Sequence, residues 1–322
     1  MKQFAVELHS HTHHSDADFS VEELCQRAVD FGYEGLILTD HNTSSGYSEL
    51  AELAKEAGIV TLGGIEWTTY YGHMLVHDAD RLVDWRTATP HSIDKHMQEV
   101  KEANGLIGIA HPFAIGSPMC TGCHWTFDVK DWNKVNYIEI WNSTRPDEHF
   151  WSWEAYALWT RLLDDGYRIS CSAGRDWHRM EGEGENPPIT YVESSGEWNS
   201  ENFRQSLEKG TFYISLGPGI RWYVEQGEKI FYMGDTIKPG LANITVEVLS
   251  TRIESLKKFG SIVKRVKIIH NNQIYFDEPI DNDLIPIPID LVEGNLRIEF
   301  WGTIKQKEEE LLLISNPIYI EK

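Results

Sequence analysis

Glu7-Leu-His-Ser-His-Thr-His-His-Ser-Asp16 decides how the first part of this chain reads. Residues 4–9 have strand composition, and on a strand His9 and His11 project from one face because side chains alternate with period two. Two imidazoles can then share one ion. A lone His-x-His is a weak signal, more often structural than ligating. This one gains weight from its company. Thirteen of the fourteen histidines precede residue 180. Leu38-Thr-Asp-His-Asn42, Gly64-Ile-Glu-Trp67, Gly72-His-Met-Leu75, Ala110-His-Pro112 and Gly174-Arg-Asp-Trp-His178 follow in order. The candidate ligands are His9, His11, Asp16, His41, Glu66, His73, His111, Asp176 and His178. Singly, Asp16 reads equally well as a helix cap, Asp176 as a turn residue and His73 as a core histidine. Jointly they read as a multinuclear metal site. Imidazole with carboxylate suits manganese, zinc or iron, and such a site lowers the pKa of bound water enough to supply hydroxide near neutral pH. We expect a metal-dependent hydrolase holding about two to three divalent transition ions.

Outward from these clusters, apolar runs alternate with amphipathic ones up to about residue 215, the βα texture of a parallel sheet or barrel. Strands are expected at 4–9, 35–39, 59–66, 72–76, 106–111, 137–141, 168–173, 190–193 and 211–215. Helices are expected at 21–31, 47–57, 93–103, 150–163 and 201–208, with Ser20 and Ser48 as caps for the first two. Most polar clusters fall at or just after the carboxyl end of a strand, where α/β folds assemble their sites. After Leu216-Gly-Pro-Gly219 the texture changes. Alternating runs at 220–224, 229–232, 244–249, 263–269, 273–276, 296–301 and 317–320 predict a small antiparallel sandwich, with Lys307–Glu310 as a solvated turn. The expected domains are 1–218 and 219–322.

The net charge of −21 is uneven: residues 1–218 hold 16 Lys and Arg against 34 Asp and Glu, and the remainder 13 against 16. So acidic a surface opposes duplex nucleic acid and anionic membranes, whereas bound cations would let the site accept a small anion. Oligomeric state is not legible. Four cysteines provide no disulfide framework, and with no leader or long apolar run the reading is cytoplasmic. Cys120-Thr-Gly-Cys123-His124 matches a haem-attachment pattern, but we read it as a loop thiol pair.

The ordered motifs resemble those of the PHP (polymerase and histidinol phosphatase) superfamily over residues 3–218, and the β-rich continuation is similar to its CehA/McbA-like branch. The resemblance implies a distorted (β/α)7 barrel with a trinuclear site. Carried over by position, His9, His11, Glu66 and Asp176 would hold one ion. Glu66 would bridge to a second completed by His73 and His111, and Asp16, His41 and His178 would hold the third. This chain departs from the family at Ala17, Arg175 and Trp177, where Gly, Ser and Ala are usual.

The leading expectation is a phosphoesterase acting on a small phosphorylated metabolite or nucleotide through a metal-bridging hydroxide. Alternatives are hydrolysis of a carboxyl ester, carbamate or amide, and a metal-holding module that binds a carbohydrate or a protein. Besides Glu66, Arg175 is a candidate catalytic and phosphate-binding residue, Arg145 a second phosphate ligand and Trp177 part of an aromatic wall; surface ion pairing is the competing role for both arginines. Asp40 is the candidate general acid, with His13, His14 and His77 as outer partners or surface residues.

Overall fold

The computed structural model describes residues 1–115, 123–180, 182, 185–280 and 286–322. The first part runs β1 (Lys2–Ser10), α1 (Val21–Phe31), β2 (Gly35–Leu38), α2 (Tyr47–Ala57), β3 (Val60–Leu62), β4 (Gly64–Thr69), β5 (Gly72–His77), α3 (Ile93–Glu102), β6 (Leu106–Ile109), β7 (Tyr137–Asn142), α4 (Phe150–Asp164), β8 (Ser170–Gly174), β9 (Ile189–Ser194), α5 (Ser200–Lys209) and β10 (Phe212–Ser215). α1 illustrates why the helices start and stop as they do. Ser20 and Glu23 form a reciprocal capping box, Gly32 ends the helix at φ 101°, and Val21, Leu24, Cys25 and Ala28 face the core. At α2 the expected cap fails. Gly46 occupies the N-cap and Ser48 sits within the first turn. A Cβ on Gly46 would lie 2.8 Å from Leu38 Cδ2 and 3.2 Å from His14, so close packing excludes a capping side chain there.

The apolar run 59–66, expected as one strand, is two. β3 pairs parallel with β2, whereas β4 pairs antiparallel with β5 in another sheet. The break follows from a close crossing: a Cβ on Gly64 would meet Ile37 Cγ2 at 2.6 Å and the Leu38 carbonyl at 2.9 Å. β4-β5-β6-β7-β8 form one sheet and β9-β1-β2-β3 a stretch of another. Single bridges tie the two together at both margins, His41 to Glu66 and Ser10 to Trp177. Parallel pairing holds for β1–β2–β3 and β6–β7–β8, while β5, β9 and β10 run antiparallel to their neighbours.

The remainder comprises β11 (Gly219–Gln226), β12 (Lys229–Phe231), β13 (Thr236–Ile237), β14 (Gly240–Leu249), α6 (Glu254–Lys257), β15 (Ile262–His270), β16 (Gln273–Pro279), β17 (Ile287–Leu291), β18 (Gly294–Ile304), β19 (Lys307–Ser315) and β20 (Ile318–Ile320). One sheet is β12-β11-β14-β17; the other contains β13-β20-β18-β19, with β15 also paired to β18 and β16 outside β15. Lys307–Glu310 opens β19 and is not a turn; the chain reverses at Lys305 and Gln306, both left-handed at φ 49° and 65°. Its charges stay largely solvated even so. The texture change near 218 does not interrupt the sheet, because β10 pairs antiparallel with β19 across it. Asn316 reinforces that seam. Its buried amide accepts from Cys171 N–H at 2.7 Å and donates to the Cys171 and Phe212 carbonyls at 3.0 Å.

Candidate metal centre

Strand ends bring the nine expected residues to one place. His9 lies near the end of β1 with His11 just beyond; His41 follows β2, Glu66 and His73 lie in β4 and β5, His111 follows β6, and Asp176 and His178 follow β8. His111 and Asp176 have left-handed backbone, φ 26° and 52°. That conformation is rare outside glycine and asparagine and turns a side chain out of the strand direction.

Glu66 is fully buried, and its two oxygens face different neighbours. Oε2 lies 3.3 Å from His9 Nε2, 3.4 Å from His11 Nε2 and 2.9 Å from His41 Nδ1. Oε1 lies 2.8 Å from His73 Nδ1 and 3.1 Å from His111 Nε2. Asp176 Oδ1 is 3.3 Å from His9 Nε2 and 3.2 Å from His11 Nε2. Asp16 Oδ1 is 3.2 Å from His178 Nε2 and 3.6 Å from His41 Nε2. Tetrahedral ligands about 2.1 Å from an ion stand about 3.4 Å apart, the spacing seen here. Donor atoms converge in three groups: His9, His11, Glu66 and Asp176; His11, Asp16, His41 and His178; and His41, Glu66 and His73. The first matches the expected set. The second adds His11 to the expected third set. In the last, His41 stands where His111 was expected, while His111 sits against Glu66 and 3.8 Å from Asp176 Oδ2.

These residues fit divalent ions on a physical test. His9 Nε2, both ring nitrogens of His11, Glu66 Oε2 and Asp176 Oδ1 are buried with no hydrogen-bond partner. Burying so many polar atoms unsatisfied is costly unless something positive satisfies them. Electrostatics agree. Burial opposes ionisation of Glu66 and Asp176, yet the surrounding imidazoles hold both carboxyls well below the ordinary range. Burial alone would lower His9 and His111, but the carboxylates carry His9 well above the usual histidine value and His111 up to about 9. For His11 burial prevails, taking it down to about 4. The cluster is graded, from His9, His11 and Glu66 at 0 % exposure to side-chain exposures of 30 % at His178 and 57 % at Asp16. That gradient marks its solvent side.

Several expectations for the surrounding residues need correction. Arg175 turns into another cleft: its guanidinium lies 3.6 Å from the Trp177 ring centroid and 4.6 Å from Phe31. The cleft is lined by Arg27, Phe31, Trp177, Lys258 and Phe259 among others, and by none of the nine candidate ligands. Arg175 and Asp176 lie just past the end of β8, and the left-handed backbone at Asp176, φ 52°, lets the two neighbouring side chains face different clefts. Trp177 is 4 % exposed and donates to the Arg179 carbonyl, and the surface it does present belongs to that separate cleft and not to the metal cluster. Asp40 accepts from Thr12 N–H, Thr12 Oγ1 and Ser15 Oγ, all at 2.7 Å, and so shapes the 12–15 turn; those bonds occupy the carboxylate that a general acid would need free. Arg145 pairs with Glu148 at 3.1 Å. His13 and His14 bond to the Phe19 carbonyl and Ser45 Oγ, and His77 is a core residue beside Tyr137 whose burial takes it down to about 3. Cys120 lies outside the described residues; the Cys123 carbonyl is 3.3 Å from His111 Nδ1.

Sequence reasoning missed three partners. Glu139 contacts His9 and His111, Thr68 Oγ1 lies 2.6 Å from His41 Nδ1, and Glu7 accepts from His9 N–H, Arg175 N–H and Tyr33. Burial pushes the Glu7 carboxyl up to about 7 against the opposing pull of Arg175. Glu139 had a signal: an acid inside the otherwise apolar run Tyr137-Ile-Glu-Ile-Trp141.

The PHP domain pattern matches residues 7–115, a segment carrying seven of the nine candidate ligands. Among curated proteins, DNA polymerase III PolC-type of Thermotoga maritima is 43 % identical over 63 residues, 19 % of this chain and 5 % of that protein. Phosphoribosyl 1,2-cyclic phosphate 1,2-diphosphodiesterase of Eggerthella lenta is 34 % identical over 64 residues, 20 % of this chain and 24 % of that one. The 3′,5′-nucleoside bisphosphate phosphatase of Chromobacterium violaceum is 35 % identical over 72 residues, 22 % and 25 % respectively. The likeness thus spans at most about a quarter of any of these three relatives. Among solved structures, a two-domain protein from Bacteroides vulgatus containing a predicted PHP-like metal-dependent phosphoesterase superposes with TM-score 0.54 at 13 % identity, covering 98 % of this chain and 95 % of that one. Residues 7–115 thus resemble a PHP domain, and the chain has a mixed α/β fold like that of the Bacteroides vulgatus protein.

Proposed function

We propose that the chain is a metal-dependent phosphoesterase acting on a small phosphorylated metabolite or nucleotide, with a di- or trinuclear centre held by the nine residues. The observation that carries this reading is Glu66, buried between two sets of imidazoles with one oxygen toward each. Two sheets tied at both margins support reading residues 1–218 as a distorted (β/α)7 barrel, with 219–322 as a β-sandwich accessory domain. Manganese, zinc or iron would supply Lewis acidity and an activated water for attack on phosphorus. The chain's own part is to hold that chemistry in a fixed place. Glu66 and Asp176 present negative charge to the ions, His9 and His11 exclude water from the inner end, and Asp40 keeps the turn bearing Asp16 in register. Asp16 and His178 form the open side through which a small anion would approach. The phosphodiesterase and phosphatase activities named for two relatives agree with this class of substrate, and the acidic exterior with a small one. We retain a cytoplasmic setting on the low cysteine count.

The test is a panel of phosphomonoesters, phosphodiesters and carboxyl esters, assayed with manganese and after chelation. We expect turnover of at least one phosphoester, lost on chelation and restored by metal. Turnover confined to carboxyl esters, or unaffected by chelation, would refute the assignment.

A further inference from the structure

We infer that Glu139 is the positioning residue of this centre, holding His9 with Nε2 toward the ions while locking the backbone at His111; the inference rests on reading the cluster as a metal centre. Glu139 is 1 % exposed, on β7 behind the ligand cluster. Its Oε1 lies 3.0 Å from His9 Nδ1. A carboxylate only accepts, so Nδ1 carries the proton and the lone pair of the neutral ring is left on Nε2, the nitrogen facing Glu66 and Asp176. Oε2 accepts from His111 N–H at 3.0 Å and from Asn142 Nδ2 at 3.0 Å. One carboxylate therefore orients a ligand from β1 and fixes the left-handed residue after β6.

The surrounding backbone is built around this group. On β8, a Cβ at Gly174 would collide with Glu139 Oε1 and lie 2.7 Å from His9 Cβ. Gly174 has no positive φ to explain it; the requirement there is space for this pair. Three strands thus converge on one carboxylate, and β8 carries on directly into Asp176 and His178. His11, by contrast, has neither ring nitrogen bonded, so His9 is the ligand through which the inner end is aligned.

The experiment uses zinc-loaded full-length protein, read by imidazole NMR and by calorimetric zinc affinity. In the wild type, His9 should show a slowly exchanging Nδ1–H proton with Nε2 bound to metal. Glu139→Ala should lose that proton and bind zinc about 10–100-fold more weakly, the usual cost of removing an outer partner of a ligand. Glu139→Gln keeps an acceptor for Nδ1–H but cannot serve His111 and Asn142 as well, so it should keep the proton with an intermediate loss of affinity. It also decides the matter if the alanine variant does not fold. Gly174→Ala, whose added Cβ would collide with Glu139 Oε1 and crowd His9 Cβ, should weaken zinc in the same direction. Wild-type affinity in the Glu139 variants, or His9 bound through Nδ1, would overturn the inference while leaving the metal centre intact. A wild type that binds no zinc, manganese or iron would instead refute the proposed function itself, and this inference with it.

Discussion

At the scale of single residues, charge makes the centre's behaviour depend on pH. In the metal-free protein the carboxylates around His111 take it up to about 9 despite burial, and Glu139, Asp176 and Glu66 likewise carry His9 well above the usual histidine value. A protonated imidazole cannot ligate, so binding must expel these protons. Metal affinity should rise with pH through about 9, with proton release at pH 7 visible in calorimetry across buffers of different ionisation enthalpy; binding without proton release would contradict the electrostatic account. Linkage to stability has the same sign. Histidines raised in the folded state stabilise it fully below their unfolded value near 6.5 and lose that contribution as pH climbs through about 9. Metal-free protein should therefore melt earlier at pH 10 than at pH 7, with the shift much reduced after loading. Glu66 touches both halves of the cluster, so Glu66→Gln should cut activity more than about 100-fold, beyond the range for an outer partner, and remove more metal than His73→Ala does. Comparable metal content in the two variants would count against a bridging role.

Elements obey local rules where neighbours leave them free to. α1 carries its own start signal in the reciprocal pair Ser20 and Glu23. Ser20→Ala should cost about 1 kcal/mol by urea unfolding, and Ser48→Ala, which removes no cap, much less. Equal shifts in the two variants would show that the cap is not what sets the start of α1. The run 59–66 shows the opposite case. Its apolar pattern is continuous, but the approach of Gly64 to β2 divides it between two sheets, placing Glu66 beside His41.

For the whole molecule the consequential feature is the sheet that passes from β9 and β10 into β19. Removing residues 219–322 would strip β10 of its β19 partner while its pairing with β9 remains, and would expose Ile214 with the buried strands behind it. An unpaired apolar edge invites association, so the 1–218 fragment should aggregate at concentrations where the full chain stays dispersed on size exclusion. Asn316 tests the same seam more gently. Asn316→Ala leaves the Cys171 and Phe212 backbone groups unsatisfied in the interior and should cost about 2–4 kcal/mol. A monodisperse, cooperatively folding fragment, or a neutral Asn316→Ala, would make the two parts independent.

Residue spacing alone marked out the nine candidate ligands, the five longer helices and most of the strands, because period-two and period-3.6 patterns and Ser, Gly and His chemistry act over a few residues. It also marked the change to β texture after Gly219, where the described residues hold only the four-residue helix α6. What each polar side chain faces was decided only by tertiary structure, since that depends on contacts between distant segments. Arg175 and Asp176 adjoin in sequence, yet one enters the cluster and the other stacks on Trp177. Glu139 looked like a stray acid in an apolar strand until β1, β6 and β8 closed around it, and Asp40 proved to serve the turn at 12–15 once its partners from β1's end were in place. The charges of Lys307–Glu310 likewise said solvent correctly but could not say strand, because the ladder to β18 is a backbone property supplied by another segment.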